Sequence, residues 1–247
     1  MRFKPLAVLL VSLPAASQNT VSLPGKETLS YLIEWRLFNA GRARIELETL
    51  GQPRPGYQVQ LKLESTGIVS KLCKVDDSYV ASLNSSYCAQ TLEMSVHEGK
   101  REREVKVTFD PETKKASYLE RDKTRNDAVI LQQEADMPPC VHDLVGGIFF
   151  LRTLSLEPGQ SVQVPVSDGK KSVMAKVEAQ AREDVKTPAG TFKTVRYEIY
   201  LFNGVLYKRS AHLNVWLTDD RRKLPVQIRV RMTITIGTIN LTLEKQG

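Results

Sequence analysis

The stretch Pro225-Val226-Gln227-Ile228-Arg229-Val230-Arg231-Met232-Thr233-Ile234-Thr235-Ile236 decides the fold. Apolar residues occupy one parity of this stretch and polar residues the other, which predicts a β-strand with one apolar and one polar face. Such a strand is typical of an antiparallel sheet whose apolar face is covered by other parts of the chain. We therefore predict an antiparallel architecture and expect the apolar row to face an interior.

The same alternation recurs along most of the chain and predicts about fourteen strands. A hairpin is predicted between residues 31–38 and 42–47, with its turn at Asn39-Ala40-Gly41. Asn203-Gly204 is a strong signal for a two-residue turn, because both positions favour a positive φ. That turn would pair Phe202 with Val205. Residues 66–98 are predicted to hold two or three shorter strands, and residues 122–136 a loop.

One helix is predicted, over residues 141–154, because its apolar residues recur at helical spacing. Gly146-Gly147 is unfavourable inside a helix and indicates close approach, either to a strand or to a ligand. Together these patterns predict a mainly β protein: a single antiparallel β-barrel or half-barrel, a clam-like curved sheet, with one central helix near 141–154.

The amino terminus is typical of a secretory signal peptide. A basic start with Arg2 and Lys4 precedes a short apolar run and then small residues, which predicts a signal peptide over 1–17. A buried N-terminal strand is the alternative. Residues 18–27 are predicted to be a flexible segment and residues 28–244 a single β-rich domain. Removal of 1–17 lowers the net charge from +7 to +5, because two basic residues and no acidic ones are lost.

The three cysteines are Cys73, Cys88 and Cys140. An oxidising compartment favours one disulfide and one free thiol. Cys88 and Cys140 both lie at boundaries of predicted elements, so we favour the Cys88–Cys140 pairing. Cys73–Cys88 is the second choice, with Cys73 otherwise a small residue of a strand.

The motifs offer little catalytic chemistry. The histidines are His97, His142 and His212, and the sequence has no Gly-x-Ser-x-Gly nucleophile motif. Cys140-Val-His-Asp143 has spacing that suits a zinc ligand pair, but no partner cluster supplies further ligands, so we interpret it as a disulfide followed by polar residues at a helix start. Asp219-Asp220 is interpreted as a solvated turn rather than an acid–base pair. We predict no enzyme activity, no cofactor and no metal.

Six residues are candidates for a ligand groove: Trp216, His212, Tyr200, Phe202, Gly146 and Gly147. The aromatic candidates fall on strand faces predicted to be polar, where a large ring indicates a second packed surface or a groove. The alternative is that the helix or a loop simply covers that face.

Several motifs together resemble the "domain of unknown function 3108" family. They are the residues from Cys140 to Arg152, Thr187-Pro-Ala-Gly-Thr-Phe192, Val215-Trp-Leu-Thr-Asp-Asp220 and Leu224-Pro-Val226. The resemblance spans roughly residues 28–244. It implies a bacterial, exported protein of the periplasm or outer-membrane periphery, and it carries no known catalytic residue.

Two functions are consistent with these patterns. In the first, an exported non-enzymatic protein binds a lipid or other hydrophobic ligand inside a curved sheet. In the second, a structural or interaction protein of the cell envelope has a dry core and binds a partner protein. A hydrolase or transferase would require His142, Asp143, Asp219 and Asp220 to converge in one cleft. Nucleic acid is not an expected partner, and no transmembrane segment is predicted.

Overall fold

The computed structural model describes residues 23–36, 38–53, 55–232 and 237–247. Alternating sequences form fourteen strands: Lys26–Trp35 (β1), Phe38–Leu50 (β2), Gly56–Ser65 (β3), Asp76–Asn84 (β4), Ala89–Glu98 (β5), Arg101–Asp110 (β6), Lys115–Asp122 (β7), Ala128–Asp136 (β8), Ser161–Ser167 (β9), Ser172–Thr187 (β10), Gly190–Ile199 (β11), Ala211–Thr218 (β12), Pro225–Met232 (β13) and Thr238–Gln246 (β14). Two short helices are described, Gly67–Leu72 (α1) and Gly146–Leu151 (α2).

All fourteen strands form one antiparallel sheet, which confirms the predicted fold class. Each strand pairs with its neighbours in sequence except at one junction, and β1 pairs with β14. The strand order therefore follows a ring that is open between β8 and β9, so the sheet is curved and open. The predicted strand over 226–236 is observed as β13, Pro225–Met232, while residues 233–236 lie outside the described part of the chain.

A central segment, residues 137–160, connects the two open edges and contains α2. Its backbone bonds to both sides of the sheet: Ala89 N–H of β5 donates to the Val141 carbonyl at 2.8 Å, and His142 N–H donates to the Pro165 carbonyl of β9 at 2.9 Å. These bonds hold residues 141 and 142 in an extended conformation. The predicted helix over 141–154 is therefore too long, and only Gly146–Leu151 is helical.

The interior contains two apolar clusters. The first covers the concave side of β1–β7 and includes Val145 and Phe149 of the central segment. The second lies against β9–β13 and includes Leu151. Phe150 packs against both clusters, so the central segment separates them.

The local predictions fail at four turns or loops. Arg36, at φ 59°, turns the first hairpin, and Trp35 pairs with Phe38, so this turn precedes Asn39-Ala40-Gly41. Asn203 and Gly204 do adopt positive φ, yet β11 ends at Ile199 and β12 begins at Ala211, which makes the connection eleven residues long.

Two further elements differ from the prediction. Residues 67–72 form α1 where strands were predicted, because Gly67 turns the chain at φ +60° and a helix follows. Residues 128–136 form β8 instead of a loop, since they complete the edge of the sheet beside β7.

The β-rich domain begins earlier than the predicted residue 28. The predicted signal peptide over 1–17 lies outside the described residues. Within the predicted flexible segment 18–27, Leu23 is buried and β1 already begins at Lys26. Glu27 is buried as well, because its carboxylate pairs with Arg152 of the central segment.

Candidate functional site

An apolar groove lies between α2 and the concave side of the C-terminal strands. About 60 Å³ of the groove is open to water-sized molecules, within about 480 Å³ of empty space that includes open solvent at its mouth. The lining residues come from the central segment and from β9–β12: Asp143, Leu144, Gly147, Ile148, Phe150, Leu151, Leu154, Val164, Val166, Val177, Ile199, Leu201, Leu213 and Val215. Among them Asp143 is the one charged residue.

Small side chains on the strands leave this space open. Seven of the ten buried strand residues in the second cluster are valine or alanine, as at Val164, Ala175 and Val177. In the first cluster, eight of the fifteen buried residues of β1–β7 are larger than valine, and they include Tyr31, Phe109 and Tyr118. The concave side of β1–β7 is therefore filled by side chains, whereas that of β9–β13 is not.

Asp143 places a carboxyl group at the wall of the groove. Its Oδ1 accepts the N–H groups of Val145 and Gly146, each at 2.9 Å, which caps the start of α2. Its Oδ2 has no hydrogen-bond partner among the described residues, although the side chain is buried. Burial raises the pKa of Asp143 despite the two backbone hydrogen bonds. An unpaired buried oxygen costs free energy unless a bound molecule or water satisfies it.

The two adjacent glycines of α2 have different surroundings. A Cβ on Gly146 would lie 2.5 Å from Asp143 Oδ2 and 2.7 Å from Leu83 Cδ2, so glycine is required for the close approach to β4. A Cβ on Gly147 would have nothing nearer than His142 Cβ at 3.8 Å, and Gly147 lines the groove. Of the two explanations offered by the sequence, close packing fits Gly146 and a groove wall fits Gly147.

The motif around Cys140 holds the central segment in place. Cys140 is joined to Cys88, which is the pairing favoured from the sequence, and Cys73 is exposed beyond α1 instead of lying in a strand. His142 is buried, stacks on Phe150 with ring centroids 3.9 Å apart, and has Nδ1 2.8 Å from the Tyr87 carbonyl oxygen. Burial lowers the pKa of His142.

A second anchor of the central segment was not found from the sequence. Arg152, at the end of α2, makes a two-pronged ion pair with Glu27 of β1 at 2.5 and 3.2 Å, and both side chains are almost fully buried. Arg152 also donates to the Arg222 carbonyl at 2.9 Å. Nothing in the sequence pairs two charges 125 residues apart, so periodicity could not reveal this contact.

Three of the predicted groove residues lie away from the apolar groove. Trp216 and His212 line a polar hollow of about 280 Å³ with Glu198 and Arg229. His212 Nδ1 is 2.8 Å from Glu198 Oε1, and Arg229 lies over the Trp216 ring at 5.0 Å. Tyr200 donates to the same Glu198 at 3.4 Å.

Trp216 is nearly fully buried, and its indole N–H donates to Glu183 of β10 at 2.6 Å. Phe202 packs against Tyr207, with ring centroids 5.5 Å apart, and contacts the cluster that lines the groove. The six predicted residues therefore divide between two locations, and only Gly147 lines the apolar groove itself.

The carboxylates proposed for an enzyme do not converge. Asp219 pairs with Arg182 at 2.9 Å, and Asp220 caps its own turn and pairs with Arg222. Asp219 lines a hollow with Arg182 and Lys223, apart from the groove wall that Asp143 supplies. Within the described ranges, no group of three or more His, Cys, Asp or Glu side chains is arranged to hold a metal ion.

The open curved sheet with an apolar segment in its concavity defines a barrel-like class of β protein. A crystal structure in this class, a β-barrel-like protein of domain of unknown function DUF1849 from Brucella abortus, is similar over 92% of this chain and 98% of its own. The identity is 11% and the TM-score 0.59, so this likeness concerns the fold alone. The chain belongs to the DUF3108 family, a family of proteins of unknown function whose model matches residues 30–244. The resemblance inferred from its motifs is thereby confirmed.

A second solved structure, described as an exported protein with a YmcC-like fold from Bacteroides fragilis NCTC 9343, covers 90% of this chain and 95% of its own. Its identity is 10% and its TM-score 0.38, too low to support an argument. No curated protein matches the chain. None of the helices in the described residues has the length and apolar character needed to cross a membrane.

Proposed function

We propose that this chain is an exported, non-enzymatic protein of the cell envelope that binds one apolar molecule in the groove between α2 and β9–β12. The observation that carries the proposal is the groove itself: an apolar lining, an open mouth and Asp143 as the one charged residue of its wall. Ligand sites in proteins commonly combine an apolar wall with a few polar groups that fix orientation.

The dimensions support an open groove rather than a closed container. Only about 60 Å³ of the groove is open to water-sized molecules, which is room for a few waters and less than the roughly 300–1,000 Å³ of typical small-molecule sites. A slim apolar chain, such as an acyl chain, therefore fits the space better than a compact ring system. Part of such a ligand would remain at the mouth, beside the exposed Leu144.

The chemistry of Asp143 selects the polar end of the ligand. The carboxyl is buried, and its raised pKa favours the neutral form more than in water. A ligand with a free carboxylate close to Asp143 would be disfavoured, because two acidic groups would share an apolar site.

The test uses N-phenylnaphthylamine, an apolar probe that has one N–H donor and gains fluorescence in apolar surroundings. Gly147→Leu places a side chain in the groove, where the backbone has room for it, and we expect probe binding to be lost.

Asn214→Leu is the matched control, because Asn214 lines the polar hollow beside Trp216 rather than the groove. Probe binding lost on Asn214→Leu and kept on Gly147→Leu would assign the ligand to that hollow and overturn the proposal. Absence of binding to the native chain, together with no co-purified lipid in a native mass spectrum from its own host, would favour an envelope protein with a dry core.

The exported location is proposed from residues 1–17 and from the disulfide. A basic start followed by a short apolar run fits cleavage near Gln18, and Cys88–Cys140 fits an oxidising compartment. Intact mass measurement of the protein isolated from its host tests this point. A mass that retains residues 1–17, in a cytoplasmic fraction, would contradict it.

A further inference from the structure

We propose a second binding surface: one rim of the sheet docks on a bilayer that contains anionic lipids. The proposal does not depend on a ligand in the groove. Because consecutive strands are antiparallel, alternate connections lie at the same end of the sheet. We call one end the basic rim; its charged connections are residues 36–37, 66–75, 99–100, 123–127, 168–171 and 200–210.

The connections at the basic rim carry an excess of positive charge. These six connections contain ten lysine or arginine residues and two aspartates, and all ten basic side chains are exposed. At the opposite rim, the described residues of the hairpin connections contain four basic and three acidic side chains. Acidic strand ends adjoin the basic rim as well, since Arg125 pairs with Asp122 and Lys123 with Glu104. The connections of the two rims therefore differ in charge by seven.

Exposed apolar side chains lie among these charges. Ile68 and Leu72 are 70% and 77% exposed, and they share one face of α1 because they are four residues apart. Phe38 is 66% exposed at the start of β2, next to α1, whose preceding Thr66 N–H donates to the Ala40 carbonyl at 2.9 Å. Lys71 and Lys74 are interleaved with them and have no acidic partner among the described residues.

An anionic bilayer is the occupant that satisfies both features at once. Basic residues near such a surface are attracted to its headgroups, and a short apolar patch between them enters the headgroup region. Charge alone would also suit an acidic polymer, but that partner gives no reason for exposed Ile68 and Leu72. The groove reaches the same rim, because Leu201 of the 200–210 connection lines it.

The test measures cosedimentation of the full chain with vesicles of phosphatidylcholine alone and with vesicles that also contain phosphatidylglycerol. We expect binding to the anionic vesicles only, weakened by added salt. Lys71→Glu with Lys74→Glu should weaken it at least about thirtyfold, because the loss of each basic residue alone is worth roughly fivefold and each glutamate adds repulsion. Lys114→Glu with Arg221→Glu, at the opposite rim, removes the same charge and should have little effect.

The contribution of the exposed apolar side chains is tested with a second double variant and its matched control. Ile68→Ser with Leu72→Ser should weaken binding by roughly tenfold or more, whereas Ile68→Val with Leu72→Met, which keeps the apolar surface, should not. Val129 and Ile130 are also exposed, at 50% and 45%, at the start of β8 beside the 123–127 connection of the same rim. All variants share the same amino terminus, so any contribution from residues 1–22 is common to them.

Several outcomes would overturn the proposal. An equal loss of vesicle binding in the Lys71/Lys74 and the Lys114/Arg221 double variants would mean that net charge alone drives binding. Equal binding to neutral vesicles would remove the role of the basic rim. No binding to anionic vesicles would refute docking altogether. A dimer in vesicle-free solution that Ile68→Ser with Leu72→Ser dissociates would assign the patch to a second copy of the chain.

Discussion

The two halves of the sheet differ in what fills their concave faces. Strands β1–β7 carry a larger share of bulky side chains inward, including Tyr31, Phe109 and Tyr118, and Val145 and Phe149 of the central segment cover them. Strands β9–β13 carry mainly valine and alanine inward, and a groove remains beneath α2. Both halves show the same alternation in sequence. Side-chain size, and not alternation, therefore separates the filled half of the sheet from the half that keeps an open groove.

The largest expected effect comes from the ion pair that anchors the central segment between the halves. Glu27→Leu or Arg152→Met leaves one buried charge without its partner, which should lower the free energy of unfolding by about 3–5 kcal/mol. The double variant removes both charges and should recover much of the loss. Urea denaturation of the three variants measures this.

Arg182→Met, which breaks an exposed pair with Asp219, is the control and should change stability little. If the double variant is as unstable as the sum of the single variants, the two charges do not act as a pair.

Substitutions at the two adjacent glycines of α2 also test the central segment between the two halves of the sheet. Gly146→Ala forces a methyl group against Asp143 and Leu83, and overpacking of this kind should destabilise the protein by about 1–3 kcal/mol. Gly147→Ala meets open space and should stabilise it by up to about 1 kcal/mol, because alanine favours helices. Thermal unfolding of both variants gives the comparison. Equal effects would show that the two surroundings are alike.

Two valines test the filled and unfilled halves directly. Val107 of β6 lies against the backbone of the β9–β10 turn, where a Cβ on Gly169 would be only 2.6 Å from its Cγ1. Val107→Ile should therefore destabilise the protein by about 1–3 kcal/mol. Val177→Ile adds a methylene to the groove wall and should stabilise it by up to about 0.8 kcal/mol. Chemical denaturation decides, and a destabilising Val177→Ile would mean that the groove is already full.

The smallest expected effect concerns pH. The pKa of His142 is lowered by burial from 6.5, so below pH 6.5 the unfolded chain binds a proton that the folded chain does not. The free energy of unfolding should then decrease as the pH falls below 6.5. His142→Gln removes this titration, and its stability relative to the native chain should rise at lower pH. Parallel pH profiles of the two proteins would contradict the assignment.

The sequence predicted the architecture because strand alternation is a local signal. It predicted the sheet, the central location of residues 141–154 and the family, and it failed where backbone bonds from distant strands override local preference. Val141 and His142 belong to the stretch with helical spacing, yet backbone hydrogen bonds with β5 and β9 hold them in an extended conformation. The site was predicted poorly, because a groove depends on the size of residues that face each other across several strands.

Trp216 shows the same limit. Its position on the polar parity correctly indicated an unusual surface, but the cause is Glu183 and Arg229, which lie on neighbouring strands β10 and β13. The different surroundings of Gly146 and Gly147 could likewise not be predicted from the sequence, since both residues occupy one helical turn. Only the position of Leu83 distinguishes them.

The ring-like strand order has a consequence for how the chain folds. Among the strand pairs of the described sheet, β1–β14 alone joins the two ends of the sequence, and Thr28 and Gly247 exchange backbone hydrogen bonds at 2.9 Å. Such a pairing closes a loop of nearly the whole chain and forms slowly. A circular permutant that links Gly247 to the start of β1 and opens the chain within 137–160 would have only sequential strand neighbours. We expect it to fold faster than the natural order, since the sheet would then grow one strand at a time.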